Sequence, residues 1–556
     1  MALFLSFIMA MFVTMLLLPL LMRKAEQWQF VDIPDQRKIH NSAIPRIGGL
    51  AMVAGSVIPM MLWLTPSREV VALLVAIFVI VAFGVWDDRT NLNYKTKFLG
   101  QSIGVLIVIV FGGVKFSTLP MISVEPVPDI VSIPLTFLFL LGVTNAINLS
   151  DGLDGLAGGT TMLSFGVIAV LGYLQKDLMV VVVSIAVLGS IFGFLRFNTH
   201  PAQVFMGDGG SQFLGFSVGV VAVILTQRPE VPLSPALPLL LLGLPILDTL
   251  LVMGKRIQEK RSPFSPDKNH IHHRLLALGF GHYEAVVIIY GMQSMLVIGA
   301  YLLRDQSDDV VIGSYLLFCL LTVAWFNLVH PENGKSRLRR RYSGIRPLFA
   351  KTQKLFRGYP LNERLIEKLF LFVVFTLPVY LLVSAVGAKS VSSDIGILAV
   401  LLIGATIFAK SVNSGMGFPS VKIGLPERIN LYVICTLNVY LSYTGNDPTG
   451  IGQYITDFYI LFLAFAITAV FGFSNSKTFK LTPLDFLVLF AAFLIPNLPG
   501  NGVGGHMGIA IAQLLVLFYA IEFVLSHIFA RNKEHVIDAI TLITLVVFAF
   551  KAFYVS

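Results

Sequence analysis

This sequence predicts an all-α polytopic integral membrane protein, and three observations carry that prediction. Of 556 residues, 56% are hydrophobic and 13% charged, about half the charged share of a soluble domain, which excludes an ordinary soluble enzyme. The mean hydropathy is +0.81, with apolar residues gathered into runs of the length that crosses a bilayer, about 20 residues each. The 2 cysteines, Cys319 and Cys435, lie inside such runs and read as core residues, so neither a disulfide-stapled secreted domain nor a disordered chain fits.

About 18 runs follow one another: 2–22, 47–64, 69–86, 98–113, 130–147, 159–174, 178–195, 211–227, 235–253, 284–302, 310–330, 367–386, 394–409, 429–445, 456–473, 483–497, 509–529 and 536–554. The first has no basic residue before it and no small-residue cleavage pattern, so it reads as an uncleaved span. When loops alternate sides, one side collects Arg23, Lys24, Arg37, Lys38, Arg46, Arg89, Lys95, Lys97, Arg196, Lys255, Arg256, Lys260, Arg261, Lys268 and Arg274 from the first ten loops. The other side receives Arg68, Lys115, Lys176, Arg228 and Arg304. The positive-inside rule makes the basic side cytoplasmic and the N-terminus external. The net charge of +9 is thereby explained by orientation, and the Arg339-Arg340-Arg341 run in the basic linker 331–366 reads as an orienting loop rather than a nucleic-acid patch.

Five polar clusters fall on that basic face. A transporter would more naturally hold its ionisable residues near mid-membrane in broken helices, so an enzyme working at the interface fits better. In the first cluster, Arg37-Lys38-Ile39-His40-Asn41-Ser42-Ala43-Ile44-Pro45-Arg46-Ile47-Gly48-Gly49, cations such as Arg46 and a glycine pair open a helix whose free N–H groups suit phosphate oxygens. A positive-inside loop reads equally well. In the second, Asp87-Asp88-Arg89-Thr90-Asn91, two adjacent carboxylates at a helix C-terminus suffer mutual repulsion and the helix dipole. A divalent cation, or Lys95 and Lys97, would offset them, and hard oxygen ligands favour Mg²⁺ or Mn²⁺ over zinc.

The third cluster, Asn145-Ala146-Ile147-Asn148-Leu149-Ser150-Asp151-Gly152-Leu153-Asp154-Gly155-Leu156-Ala157-Gly158-Gly159, places Asn148, Asp151 and Asp154 on one face if helical, or lets glycines admit a ligand to the backbone if looped. The fourth, Arg196-Phe197-Asn198-Thr199-His200-Pro201-Ala202-Gln203-Val204-Phe205-Met206-Gly207-Asp208-Gly209-Gly210-Ser211, sets Asp208 between glycines within reach of a cation. Phe205 there is either a flat face for a base or an interfacial aromatic. The fifth runs from Lys255, Arg256 and Arg261 through Ser262-Pro263-Phe264-Ser265-Pro266-Asp267-Lys268-Asn269 to His270-Ile271-His272-His273-Arg274. Without cysteine or an HExxH pattern, its histidines and Arg274 suit an anion better than zinc. Asp248, an intramembrane acid, is a weaker candidate with an arginine as its expected partner. Together the clusters offer what transfer of a phosphorylated group from a soluble nucleotide to a lipid acceptor requires.

The motif order RKIHNSAIPRIGG, DDRTN, NAINLSDGLDGLAGG, NTHPAQVFMGDGGS and SPDKNHIHHRL resembles the polyprenyl-phosphate N-acetylhexosamine-1-phosphate transferases, over about residues 1–330. Within them it is more similar to the WecA type than to the MraY type, which makes peptidoglycan lipid I; the His-Ile-His-His spelling and the Arg-Lys-x-His first loop carry that preference. The resemblance implies transfer of N-acetylglucosamine-1-phosphate from a UDP-sugar to undecaprenyl phosphate, giving undecaprenyl-diphospho-HexNAc and UMP and starting a lipid-linked cell-envelope glycan such as O-antigen. It further implies Mg²⁺ or Mn²⁺, a bacterial inner membrane location with a cytoplasmic active site, and no nucleic-acid partner; a homodimer is compatible with it. By resemblance, Asp208 and Asn148 are metal-site residues and Phe205 contacts the uracil. Asp154 and Asn198 contact the nucleotide, with Asp151, Arg46 and Arg274 as further substrate-binding residues. Lys97, His270, His272 and His273 form the cationic diphosphate region, and Asp87 and Asp88 act in acceptor-phosphate activation or metal handling. Asn91 departs from the pattern, since many members carry a third Asp there.

Residues 367–556 add about seven further spans as a separate membrane domain that the resemblance does not explain. The stretch Gly500-Asn501-Gly502-Val503-Gly504-Gly505 matches GxGxxG without a βαβ unit and reads as a false positive. Asp485, Glu522 and His527 are too scattered to define a site. The alternatives are a flippase of lipid-linked glycans, an MraY-type transferase, or a membrane prenyltransferase; the last shares the Asp87-Asp88 signal but leaves the GDGGS and HIHH segments unexplained.

Overall fold

The computed structural model describes residues 2–32, 43–122, 126–228, 233–262, 269–329, 363–388, 391–415, 425–444, 456–466, 534–554 and short helical pieces within 509–525. The chain forms two compact units, the first holding Met1–Leu338. Several sequence features fall outside the described residues: Arg37, Lys38 and His40 of the first cluster, Asp267 and Lys268 of the fifth, the Arg339–Arg341 run, the GxGxxG stretch, Asp485, Glu522 and His527.

The first unit is helical. Its elements are α1 (Ala2–Lys24), β1 (Val31–Asp32), β2 (Ile44–Pro45), α2 (Gly48–Trp63), α3 (Arg68–Thr90), α4 (Tyr94–Leu106), α5 (Asp129–Ser150), α6 (Leu156–Leu174), α7 (Leu178–Asn198), α8 (Gly207–Gln227), α9 (Pro238–Leu241), α10 (Gly243–Gln258), α11 (Ile271–Ala277), α12 (His282–Leu302) and α13 (Asp308–Val329). Among the described residues, nine helices are long and apolar enough to cross a membrane, so the chain is a multi-pass membrane protein. Two details depart from the sequence reading. The all-α expectation gains an antiparallel pairing of two residues per strand, Val31 with Pro45 and Asp32 with Ile44. The apolar run at 235–253 is broken at Leu242 into α9 and α10, because Leu242 leaves helical geometry at φ −120° and ψ 14°.

Helix ends follow local chemistry. Ser67, Asn93 and Asp177 cap α3, α4 and α7 by accepting the N–H groups of Val70, Thr96 and Val180, which satisfies donors the first helical turn leaves open. On the far side of α3, the chain turns through Asn91 in the left-handed region at φ 50°, which asparagine tolerates better than most residues. Helix α4 continues into a π-helical turn over Ile107–Phe111.

Helix α8 is the axis of the unit. Its apolar window is 100% buried, and it packs against α2, α3, α5, α6 and α7. Small residues permit that crowding. A Cβ on Gly49 would overlap the Gly210 backbone, and a Cβ on Gly84 would overlap the Gly209 backbone. Helix association within lipid rests on such close packing, because tails are as apolar as leucine and give helices no hydrophobic reason to pair. Adding one methyl at this α3–α8 crossing, as in Gly84→Ala, should therefore destabilise the protein by about 1–3 kcal/mol. Thermal unfolding of the detergent-purified chain checks this, and an unchanged midpoint would mean that the helices can separate without cost.

Candidate active site

The C-terminal end of α3, the N-terminal end of α4, the C-terminal end of α5 and the N-terminal end of α8 meet at one end of the bundle, and the charged residues meet with them. Asp88, in the last turn of α3, accepts hydrogen bonds from the backbone N–H groups of Asp208 at 2.8 Å and Gly209 at 3.0 Å. A carboxylate is thus set on the positive end of the α8 dipole, satisfying two of its open donors. Gly207 begins α8 at φ 70°, and a side chain there would overlap the Asp88 carboxylate.

Next to this cap, Lys97 of α4 bridges two carboxylates, with its Nζ 2.8 Å from Asp87 Oδ2 and also paired to Asp208 Oδ2. Asp87 is buried and its Oδ1 accepts the N–H of Leu92 at 2.6 Å. Asn148 of α5 donates from Nδ2 to Asp208 Oδ1 and to Ser211 Oγ, both at 2.7 Å. The adjacent acids of α3 therefore do different work: Asp87 faces the ammonium, whereas Asp88 faces a helix terminus. Lys97 rather than Lys95 supplies the offsetting charge expected from the sequence. Asn148, expected as a metal-site residue, turns its NH₂ group to Asp208 and so orients that carboxylate.

Asp151 lies just past α5. Burial pushes its carboxyl up to about 7, reinforced by the Asp208 and Asp154 carboxylates, while Arg46 pulls the other way. Four motif residues distant in sequence thus share one electrostatic neighbourhood. Arg46 itself is salt-bridged to Asp32, its backbone N–H is held by Phe30 O at 2.9 Å, and Phe205 N–H donates to Pro45 O at 2.8 Å. The strand pair and the loop before α8 are in this way tied together. Gly48 and Gly49 donate to Phe205 O and Met206 O at 2.9 and 2.8 Å, so the N–H groups expected to meet a phosphate instead hold the Phe205 loop. The Phe205 side chain is half-buried.

Asn198, expected to contact the nucleotide, serves in the fold as a clamp between two loops. It is buried, its Oδ1 accepts the N–H of Gly155 at 2.9 Å and its Nδ2 donates to Val204 O at 2.8 Å. Asp154 accepts from Ala202 N at 3.2 Å and pairs with His200 Nδ1 at 2.6 Å. Among the described residues, Asp154, His200 and His282 form the one metal-capable group of three, their ligating atoms within 4.8 Å of one another. The two imidazoles, however, are stacked at 4.1 Å with 19° between planes. Their in-plane lone pairs run side by side instead of converging, which suits a hydrogen-bonded link better than a tetrahedral ion.

The histidine segment lies at the start of α11. His270 and His272 are buried, and rings 270 and 272 stand 5.7 Å apart, rings 272 and 273 4.2 Å apart. Burial, reinforced by the neighbouring His273, holds His272 down to about 3, so it is a neutral imidazole at physiological pH. Of the histidines expected in the cationic diphosphate region, this one is held neutral by desolvation, which outweighs the nearby Asp248 carboxylate. Asp248 also departs from expectation: its partner is His270 Nδ1 at 2.8 Å, not an arginine. Arg274 donates from Nε to Asn269 O at 2.7 Å and lies 5.7 Å over the Phe326 ring.

Sequence reasoning passed over Ser211 and His282. Ser211 was detectable, since it stands three residues after Asp208 on the same helix face. His282 carries no local signal, as Asp154 lies 128 positions away and its stacking partner His200 is also distant in sequence.

The glycosyl transferase family 4 model matches residues 70–226, the interval that holds the carboxylate, lysine and asparagine network. The chain is also 36% identical over 319 residues, 57% of its length and 88% of the relative's, to a probable undecaprenyl-phosphate N-acetylglucosaminyl 1-phosphate transferase of Bacillus subtilis. It is 37% identical over 303 residues, 49% of its length and 74% of the relative's, to the decaprenyl-phosphate N-acetylglucosaminephosphotransferase of Mycolicibacterium smegmatis. It is 30% identical over 337 residues, 58% of its length and 91% of the relative's, to the undecaprenyl-phosphate alpha-N-acetylglucosaminyl 1-phosphate transferase of Escherichia coli K12. The chain therefore belongs to glycosyl transferase family 4, the MraY and WecA family. It is a membrane-embedded transferase.

Two outcomes follow from the geometry. Asn198→Ala removes both ends of a buried clamp and should cost about 1–3 kcal/mol of stability, read as a lowered thermal midpoint; a normal midpoint with weakened nucleotide binding would restore the contact role. His272 is held neutral in the fold, whereas it protonates near its ordinary value when unfolded. The unfolded chain thus binds the extra proton between about pH 6.5 and pH 3, and stability falls as pH falls through that window. His272→Gln should lose stability less steeply there, by up to about 1.4 kcal/mol per pH unit, as chemical denaturation at stepped pH would measure.

Proposed function

We propose that the protein transfers an N-acetylhexosamine-1-phosphate, specifically N-acetylglucosamine-1-phosphate, from its UDP-sugar to undecaprenyl phosphate, releasing UMP. The observation that carries this reading is the gathering of Asp87, Asp88, Asp208, Lys97 and Asn148 at one end of apolar helices. Such an arrangement lets a lipid tail lie along the helices while its phosphate reaches the charged end. The names of the relatives, which act on undecaprenyl or decaprenyl phosphate, support the same acceptor class. The basic loops that share this end in the sequence support a cytoplasmic face of the bacterial inner membrane.

The oxygen-rich donor set suits Mg²⁺ or Mn²⁺. Asp208 and Asp87 are the carboxylates that would hold it, since the Lys97 ammonium they share is a side chain that a cation can displace, whereas Asp88 is bound to the α8 backbone. When bound, the ion would neutralise diphosphate charge. Lys97, already between two carboxylates, adds a mobile positive charge to the same place. The acceptor phosphate has its second pKa near about 6 and is largely dianionic at neutral pH, so it can attack the β-phosphorus of the donor without a strong general base. The new phosphoanhydride bond forms as the bond to UMP breaks, and the departing UMP carries away the electron pair. Asp88 holds Asp208 in place through the α8 backbone.

The test is UMP release by the purified chain given undecaprenyl phosphate, Mg²⁺ and a panel of UDP-sugars. Release should need both lipid and metal, stop with EDTA, favour UDP-N-acetylglucosamine, and fall at least about 100-fold in Asp208→Ala. No release with any donor from folded protein would overturn the reading in favour of transport of a lipid-linked glycan.

A further inference from the structure

We propose that Asp248 is a positioning residue for the transfer reaction: it fixes the tautomer of His270 and anchors the start of α11, so that the histidine segment presents one defined face to the site. The inference rests on the transfer reading above.

Asp248 sits in the middle of α10, and its side chain is 10% exposed, against 5% for that of His270. A carboxylate so sequestered is costly unless its oxygens are hydrogen-bonded, and each of them is. Oδ2 meets His270 Nδ1 at 2.8 Å and Oδ1 accepts the backbone N–H of Ile271 at 2.7 Å. Both partners stand at the first residues of α11, 22 and 23 positions along the chain. One carboxylate therefore sets the position of α11 and the orientation of its first ring together. An ionised carboxylate only accepts, so Nδ1 carries the proton and Nε2 is the nitrogen His270 has left to offer. This is the carboxylate–histidine arrangement by which an imidazole is held in a single tautomer.

The segment so fixed abuts the motif that carries Asp151 and Asp154. A Cβ on Gly152 would overlap the His272 ring, so only a glycine allows that imidazole to rest on the 151–155 backbone. Asp248 and His272 also line one cleft with Ser150, Leu156 and Thr160, the residues that flank this motif on α5 and α6. Displacement of α11 would thus be felt directly at the candidate nucleotide and diphosphate positions.

Asparagine separates positioning from folding. In Asp248→Asn, the amide oxygen can still accept the Ile271 N–H, but the NH₂ group faces His270 Nδ1 as a donor. The imidazole is then driven to the tautomer protonated at Nε2. The experiment uses the full chain in detergent with UDP-N-acetylglucosamine and undecaprenyl phosphate, comparing wild type, Asp248→Asn, Asp248→Ala, His270→Gln and the Asp248→Asn/His270→Gln double variant. Asp248→Asn should keep the wild-type thermal midpoint and a KM for the donor within roughly threefold, while kcat falls at least roughly tenfold. The double variant should be no slower than His270→Gln alone, because the two residues act through one imidazole.

Hydrogen exchange supplies a readout independent of turnover: protection across 271–277 should survive in Asp248→Asn and be lost in Asp248→Ala. Full kcat in Asp248→Asn, or losses that multiply in the double variant, would overturn the positioning role. If the wild type itself releases no UMP, the transfer reading falls and takes the positioning role with it. The exchange data would then show whether the anchor alone remains.

Discussion

The structure of the site depends on one contact, the Asp88 carboxylate on the first N–H groups of α8. Helix α8 is the most enclosed helix of the first unit, and a helix start placed inside protein leaves backbone donors that need partners. Asp88 supplies them from α3, with Gly207 bare so that the carboxylate can come close. Because the cap fixes where α8 begins, it fixes Asp208, the second residue of that helix. From Asp208 the remaining contacts follow outward to Lys97, Asn148 and, through Asn148, Ser211.

The same contact explains how several carboxylates coexist at the end of an apolar bundle. They divide among three kinds of partner: a helix terminus for Asp88, one ammonium shared by Asp87 and Asp208, and an imidazole nitrogen for each of Asp154 and Asp248. Asp151 has neighbouring carboxylates and Arg46 to oppose them, and burial pushes its carboxyl up to about 7. The charge most readily redistributed by an arriving anion or divalent ion is the Lys97 ammonium. It is held by two side-chain carboxylates, whereas Asp88 is tied to the backbone itself.

Polar links of a second type hold the loops around this core. Asn198 joins the start of α6 to the loop before α8, Tyr290 donates to Gly155 O at 2.7 Å, and Tyr283 donates to His200 O at 2.6 Å. The motif residues are therefore of two sorts. Some face the shared charged space, and others, equally prominent in the sequence, keep the backbone of that space in shape. The second unit has its own polar ties, Asn430 to Thr406 Oγ1 at 2.7 Å and Asn438 to Leu381 O at 3.0 Å, in helices whose hydropathy alone gave them no role.

Hydropathy determined the class of protein, because a helix crossing lipid must be apolar along its whole length and that property is local. Motif order determined the family for the same reason: each motif is a short contiguous string, and NAINLSDGLDGLAGG or FMGDGGS can be read without knowing what lies opposite. The partners of those residues were not legible. Asp88 meets Asp208 across 120 positions, Lys97 meets it across 111 and Asn148 across 60. Nothing local distinguishes Asp87, which faces an ammonium, from Asp88, which caps a helix, or Asn198, a buried clamp, from a ligand contact. Charge state was equally hidden: His272 stands beside Arg274 in the sequence, and its burial with His273 holds it neutral well into the acid range. Apolar length and motif identity are properties of the chain, whereas hydrogen-bond partners and desolvation exist only once distant segments have been packed together.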